Sequence, residues 1–221
     1  MTARPPAPIE LVVFDCDGVL VDSERLAIRI ESRLITELGW PLTEADVVDR
    51  FVGRTDAYMR GEIEARVGPV PDWQERYETA LHAAFRAELE PVAGVADAID
   101  ALHAAGVATC VASSGTHDKM RLTLGLTGLA DRVDGRIHST TEVANGKPAP
   151  DLFLHAAAQR GAAPERCVVV EDSPSGVAAA RAAGMWCVAY VSGLIPEDRL
   201  AGERTTLIRS MAELPALVLG R

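Results

Sequence analysis

Short apolar runs alternate with longer amphipathic segments along most of the chain. Five runs are mostly apolar, and the near-continuous ones among them are typical of strands buried on both faces of a parallel sheet, with residues 136–139 the least typical. Between two of them, Val95, Ile99 and Leu102 share one helical face, and this helix is predicted to end at Gly106. The alternation predicts an α/β fold with a doubly wound parallel sheet. The runs cover residues 11–14, 107–112, 136–139, 167–170 and 186–191, and a sixth strand is predicted at 206–208.

The long segment after the first run breaks this alternation, because it has helical patterns and no convincing strand. Apolar residues recur at every fourth position from Leu26 to Leu38, and Thr43 and Asp72 are placed to begin two further helices. An all-helical insertion after the first strand would form a lid over the ends of the neighbouring strands. The predicted division is a core of residues 1–21 and 92–221 and a helical cap of residues 22–91.

Size and charge narrow the class of protein. The 221 residues suffice for one α/β domain with a smaller accessory unit, and no apolar run approaches the ~20 residues of a membrane-spanning helix. A formal net charge of -10 argues against nucleic-acid binding, which needs clustered lysine and arginine. We expect a small-molecule partner, no membrane or nucleic acid, and a monomer.

The cysteines and the first residues predict the cellular setting. The four cysteines lie far apart without a C-x-x-C pair, so neither a zinc site of cysteines nor a disulfide is expected. Residues 1–8 contain prolines where a signal peptide has its apolar core, which predicts an irregular arm. These features favour a reducing, cytoplasmic location.

Two aspartates, Asp15 and Asp17, directly follow the first predicted strand and precede Gly18. Paired carboxylates at the end of a buried strand cost free energy unless a cation offsets their charge. The carboxyl ends of strands in an open parallel sheet are also where ligands bind. A metal-assisted active site is the functional interpretation, and a solvated turn is the alternative.

Three later segments place polar residues at or after the end of an apolar run. Ser113 and Ser114 precede a glycine and a predicted helix, which suits phosphate binding but is also common in turns. Lys147 lies in a loop, where a surface lysine is the alternative, and Glu171 and Asp172 end the fourth run as a second acidic pair. Together with the first pair, this set suits Mg²⁺ and a phosphoryl group, because Mg²⁺ prefers oxygen ligands and bridges carboxylates to phosphate.

These segments resemble, in order, the four motifs of the haloacid dehalogenase-like hydrolase superfamily. They read DCDGVLVDSE, the serine of VASSG, GKPAPDLF and VVVEDSPSGVAAARAAGM. The resemblance extends over essentially the whole chain and is to the phosphatases and phosphomutases that carry a helical cap after the first strand. It implies a Rossmann-like core with an inserted all-helical cap, and Mg²⁺ as cofactor.

The resemblance also implies roles for individual residues. Asp15 would be the nucleophile that forms an aspartyl-phosphate. Asp17 would protonate the leaving alcohol and then deprotonate the attacking water. The phosphate would be held by Ser113, Ser114 and Lys147, and the metal by Asp15, Asp17, Asp172 and Glu171, the last directly or through water.

One departure from the family and two similarities bear on the substrate. Phosphoglucomutases of the family carry a histidine early in the cap, where this chain has Ala27. The segments FVGRT and SSGTHDKM are similar to those of 6-phosphogluconate-type phosphatases, and the cap residues Gly53, Arg54 and Thr55 are predicted to contact the substrate. The sequence therefore predicts a phosphatase acting on a sugar or sugar-acid phosphate. The alternatives are a phosphosugar mutase and a non-catalytic module switched by phosphorylation of Asp15.

Overall fold

A single six-stranded sheet forms the centre of the larger part of the chain. The computed structural model describes residue 5, residues 8–133 and residues 135–220, so the predicted N-terminal arm lies almost entirely outside the described residues. All paired strands are parallel, in the order β3-β2-β1-β4-β5-β6. The strands are β1 Leu11–Phe14, β2 Ala108–Ser113, β3 Ile137–Ser139, β4 Cys167–Glu171, β5 Trp186–Tyr190 and β6 Thr205–Ile208. The predicted doubly wound fold is confirmed, and each predicted strand boundary is within one residue.

The strand order places a topological switch beside β1. After β1 the chain adds β2 and then β3 on one side of it. It then crosses back, so that β4 pairs with β1 on the other side. Phe14, the last residue of β1, lies opposite Val111 on β2 and Val170 on β4. Loops that follow β1, β2 and β4 therefore meet at one edge of the sheet, where open α/β folds bind ligands.

Helices pack on this sheet and bury its central strands. The residues of β1 are at most 1% exposed, and those of β4 are equally buried, as expected for parallel strands with both faces covered. In this part of the chain α5 contacts β2, α8 contacts β1 to β3, and α9 contacts β4 and β5. The helices are α5 Val95–Ala104, α6 His117–Leu126, α7 Ala130–Val133, α8 Asp151–Gln159, α9 Pro174–Ala182, α10 Glu197–Leu200 and α11 Leu214–Leu219.

The chain divides into two compact units. One unit comprises Met1–Val21 and Glu90–Arg221, and the other comprises Asp22–Leu89. The two segments of the first unit are joined where Val21 pairs with Pro91 and the Val92 amide donates to the Leu20 carbonyl over 2.9 Å. The second unit is helical in its described residues, and its action as a lid stays a prediction.

The helical unit contains α1 Ser23–Glu37, α2 Glu44–Phe51, α3 Asp56–Val67 and α4 Trp73–Glu88. Thr43 begins α2 with a capping box completed by Asp46, as its position in the sequence predicts. The apolar pattern does not identify α3, because only Met59 and Ile63 of this helix are buried and Gly61 lies at its centre. No described helix is both long and apolar enough to span a membrane.

Candidate active site

Asp15 lies at the carboxyl end of β1, at the edge of the sheet described above. Its amide donates to the carbonyl of Val170 over 2.9 Å, which continues the pairing of β1 with β4 by one residue. The residue is 7% exposed, so its carboxylate is held in a nearly water-free position. Gly18 then turns the chain with a φ of 75°, a conformation that favours glycine.

Lys147 brings the separate motifs together. Its ammonium group forms a short ion pair with Asp15 Oδ1 and donates to Glu171 Oε1 over 2.7 Å and to the Ala112 carbonyl over 3.2 Å. The side chain is only 5% exposed. Burial alone would lower the pKa of Lys147, but the charges of Asp15 and Glu171 outweigh it and raise the pKa above its usual value. Lys147 is thus a permanent buried cation facing the proposed nucleophile.

The acidic groups around Asp15 alter its protonation. The pKa of Asp15 is raised to about 7, mainly by burial and also by the charges of Glu171 and Asp17, while Lys147 acts in the opposite direction. A carboxylate must be ionised to act as a nucleophile. A second positive charge beside Asp15 would therefore favour its reactive form.

Asp17 pairs with a lysine that the sequence analysis did not identify. Lys119 Nζ donates to Asp17 Oδ2 over 2.8 Å, and the two residues are 102 positions apart in the chain. Lys119 lies in α6, whose first turn is capped by Thr116. One feature of the sequence could have indicated this pair. Lys119 lies in the segment SSGTHDKM directly after β2, and β2 is the neighbour of β1, which Asp17 follows.

The loop after β2 lies against Asp17. Ser113 is 1% exposed, and its hydroxyl accepts from the Gly115 amide over 3.1 Å. A methyl group placed on Gly115 would come within 3.7 Å of Asp17 Oδ2 and 3.5 Å of Ser113 Oγ. Ser113 therefore lies near Asp17, whereas the neighbouring Ser114 is exposed and accepts from Thr140 through its carbonyl; phosphate binding by either serine stays a prediction.

Glu171 is fixed by four hydrogen bonds. Its Oε2 accepts from the Asp172 amide over 2.9 Å and from the amide and hydroxyl of Ser173 over 2.8 and 2.9 Å, while Oε1 accepts from Lys147. A methyl group on Gly176 would lie 1.7 Å from Oε1, so this glycine provides the space for the carboxylate. In this arrangement Glu171 positions Lys147.

Asp172 lies against the backbone of Gly18, the residue after Asp17. A methyl group on Gly18 would be 2.1 Å from Asp172 Oδ2, so the carboxylate occupies the space that a side chain there would fill. Asp15, Asp172 and the Asp17 carbonyl, which the family resemblance assigns to the metal, would give an all-oxygen donor set that fits a hard divalent cation such as Mg²⁺. Both oxygens of Glu171 already accept hydrogen bonds, so contact with such an ion through water fits better than direct ligation.

The cap residues Gly53, Arg54 and Thr55 belong to the helical unit. Gly53 follows α2 with a φ of 77°, and the Thr55 hydroxyl accepts from the Tyr58 amide over 3.2 Å to cap α3. The Arg54 guanidinium lies 5.5 Å from the centroid of the Tyr58 ring. These contacts explain the local structure of the loop, and substrate contact by its residues stays a prediction.

Comparison with known proteins agrees with the four motifs. Residues 9–184 match the family of haloacid dehalogenase-like hydrolases. The chain belongs to this family. The resemblance that the sequence shows is therefore confirmed, and members of this hydrolase family use a divalent metal, in agreement with the oxygen donors at the edge of the sheet.

Several relatives of this haloacid dehalogenase-like hydrolase are phosphatases. A phosphoglycolate phosphatase from Xylella fastidiosa is 33% identical over 180 residues, which are 79% of this chain and 76% of that protein. The 6-phosphogluconate phosphatase of Escherichia coli is 28% identical over 213 residues, 95% of this chain and 94% of the relative. A solved structure of a family hydrolase from Deinococcus radiodurans, with bound phosphate and sodium, has a TM-score of 0.81 and 32% identity, covering 97% of each chain.

Proposed function

We propose that the protein is a Mg²⁺-dependent phosphatase that hydrolyses a small sugar or sugar-acid phosphate through an aspartyl-phosphate. The observation that supports this most is the buried contact of Lys147 with Asp15, two residues before an Asp17 that is paired with Lys119. In this proposal Lys147 binds the phosphate beside Asp15, and Asp17 faces the leaving group. The phosphatase relatives described above support the substrate class.

The first half-reaction is attack by Asp15 on phosphorus. A carboxylate oxygen of Asp15 forms the new P–O bond, the bond to the substrate oxygen breaks, and Asp17 donates its proton to the leaving alkoxide. Lys147 and Ser113 bind the phosphoryl oxygens as their charge is redistributed. A divalent ion held by Asp15, the Asp17 carbonyl and Asp172 would supply further positive charge there.

The second half-reaction regenerates the enzyme. Asp17, now ionised, removes a proton from water, whose oxygen attacks the phosphorus of the aspartyl-phosphate. The P–O bond to Asp15 breaks, and inorganic phosphate and the free carboxylate are released. Lys119 keeps the Asp17 carboxyl group in place through both steps, because its ammonium group donates a hydrogen bond to Asp17 Oδ2.

The two alternatives differ in their products. A phosphosugar mutase would interconvert sugar phosphates without net release of phosphate, and Ala27, where mutases of the family carry histidine, argues against it. A non-catalytic module would release no phosphate from any ester.

A panel of sugar and sugar-acid phosphates assayed for inorganic phosphate tests the proposal. We expect phosphate release that needs Mg²⁺, stops with a chelator, and falls by roughly three orders of magnitude or more in Asp15→Asn. Asp118→Asn is the matched control, because this aspartate has a side chain that is 96% exposed. Normal phosphate release by Asp15→Asn would disprove the covalent mechanism, and interconversion without release would favour the mutase.

A further inference from the structure

Three of the five histidines of the chain meet at one carboxylate away from the catalytic aspartates. His138 lies in the edge strand β3, Glu142 in the short helical turn after it, His155 in α8 and His117 at the start of α6. None of these residues has a part in the mechanism proposed above. Their convergence from four elements needs its own explanation.

The geometry matches that of a metal site. One nitrogen each of His138 and His155 and one oxygen of Glu142 lie within 4.8 Å of one another. Glu142 Oε2 is 2.8 Å from His155 Nε2 and 3.5 Å from His138 Nδ1. Metal–ligand bonds of about 2.0–2.1 Å would place tetrahedral ligand atoms roughly 3.3 Å apart, so small side-chain shifts would suffice.

His117 completes the arrangement from the other side of the carboxylate. Its Nε2 makes a short contact with Glu142 Oε1, so the two oxygens of Glu142 face different histidines. Partners that hold a metal-ligating carboxylate in this way fix its orientation and strengthen binding. His117 therefore has the position of a supporting residue, with His138, Glu142 and His155 as the ligands.

The environment also suits a metal. Nε2 of His138 and Nδ1 of His117 are buried and have no hydrogen-bond partner in the described part of the chain. The side chains of Glu142 and His155 are 28% and 27% exposed, which leaves a path for an ion to enter.

We propose that His138, Glu142 and His155 bind Zn²⁺, with His117 supporting Glu142. Two imidazoles and a carboxylate are a known ligand set for Zn²⁺, whereas Mg²⁺ prefers the all-oxygen set of the catalytic centre. Three protein ligands leave one position for water. This second site is distinct from the catalytic one and does not depend on the reaction proposed above.

The site is linked to both phosphate-binding loops. Between His138 and Glu142, Ser139 donates to the Gly115 carbonyl over 2.8 Å and Thr140 donates to the Ser114 carbonyl over 3.0 Å. The segment between Glu142 and His155 carries Lys147. A bound ion would therefore hold the loop after β2 and the Lys147 loop in fixed positions.

The test is a titration of the whole protein with Zn²⁺ in a large excess of Mg²⁺, which competes for the catalytic centre. We expect one Zn²⁺ per chain in the unmodified protein and also in Asp172→Asn, which changes only the catalytic donors. His155→Gln should weaken Zn²⁺ binding at least about 100-fold, and His117→Gln by about 10–100-fold, as for supporting residues. His82→Gln, a histidine of the helical unit, is the matched control and should bind normally.

Two further measurements keep the result interpretable. Co²⁺ added in place of Zn²⁺ should give a visible absorption band from nitrogen ligation, and His155→Gln should lack it. The circular dichroism of each metal-free variant must match that of the unmodified protein; if His155→Gln is misfolded, the isosteric Glu142→Gln decides. Unchanged Zn²⁺ binding in folded His155→Gln or Glu142→Gln, or its loss in Asp172→Asn, would overturn the proposal.

Discussion

At the scale of single residues, two lysines organise the aspartates of the candidate active site. Lys147 contacts Asp15 and Glu171, and Lys119 contacts Asp17. The protein has a formal net charge of -10, so an anionic substrate meets overall repulsion that these local cations offset at the site. Because both cations are held by carboxylates, each also fixes the orientation of the group it neutralises.

We expect Lys119→Met to lower kcat more than it changes KM. Loss of the ammonium group would remove the hydrogen bond that Asp17 accepts from Lys119, so proton transfer would slow by roughly 10–100-fold. Steady-state phosphate release measures both constants. Arg121→Met on the same helix is the control, since its side chain is 66% exposed, and Lys119→Arg should restore part of the activity. An unchanged kcat in Lys119→Met would remove Lys119 from the mechanism.

The raised pKa of Glu31 makes the stability of the protein depend on pH. Burial raises the pKa of Glu31 to about 7, although a hydrogen bond from Tyr77 acts against it. The folded state therefore binds this proton more tightly than the unfolded state, whose pKa is near 4.5. The resulting stability is fully present below about pH 4.5 and is lost as the pH rises through about 7.

Glu31→Gln should remove this dependence, because glutamine resembles the protonated acid. We expect the variant to exceed the unmodified protein in stability by about 1–3 kcal/mol at pH 8 and to differ little near pH 5. Urea unfolding at several pH values measures the difference. Glu62→Gln, at an exposed position, should show no such trend. A constant difference between pH 5 and 8 would contradict the assignment.

At the scale of elements, glycines in the segments that follow β1 and β4 leave the space that Glu171 and Asp172 occupy. Gly176, in the first turn of α9, leaves the space that Glu171 occupies at the end of β4. Gly18 does the same for Asp172. The packing of a helix and a loop against strand ends thus determines the shape of the catalytic centre.

The same substitution should have opposite effects at two helical glycines. Gly176→Ala would place a methyl group 1.7 Å from Glu171 Oε1, and four hydrogen bonds oppose any movement of that carboxylate. We expect at least a tenfold loss of activity, on the order of 1.4 kcal/mol, with lower stability. Gly61→Ala in α3 meets nothing within 4 Å and should stabilise the helix by about 0.5–1 kcal/mol.

Thermal unfolding and phosphate release measured on both variants test this difference. Full activity in Gly176→Ala would show that Glu171 can move without cost, contrary to the role assigned to its hydrogen bonds.

At the scale of the whole molecule, the α/β unit is built from two separate stretches of chain. The pairing of Val21 with Pro91 and the hydrogen bond from Val92 to Leu20 hold these stretches together at the ends of the insertion. The strands, their covering helices and the catalytic aspartates all lie outside the helical unit. The sheet therefore does not need the insertion to connect its strands.

We expect the α/β unit to fold after Asp22–Leu89 is replaced by a turn of about four glycine and asparagine residues, the type of connection that joins adjacent antiparallel segments. Far-ultraviolet circular dichroism and urea unfolding should show a cooperative α/β protein. If the residues of the cap select the substrate, the shortened protein should discriminate less among phosphorylated metabolites. Loss of the cooperative transition would show that the insertion is required for the core.

The sequence by itself determined the strands, the family and the four motifs, because buried parallel strands are continuous apolar runs and the motifs are local strings. It did not reveal α3, since that helix buries few apolar residues. Only the tertiary structure paired Asp17 with Lys119 across 102 positions, held Glu171 through Ser173 and Gly176, and gathered three histidines around Glu142. Those contacts depend on which strands are neighbours, and strand order is a property of the folded sheet.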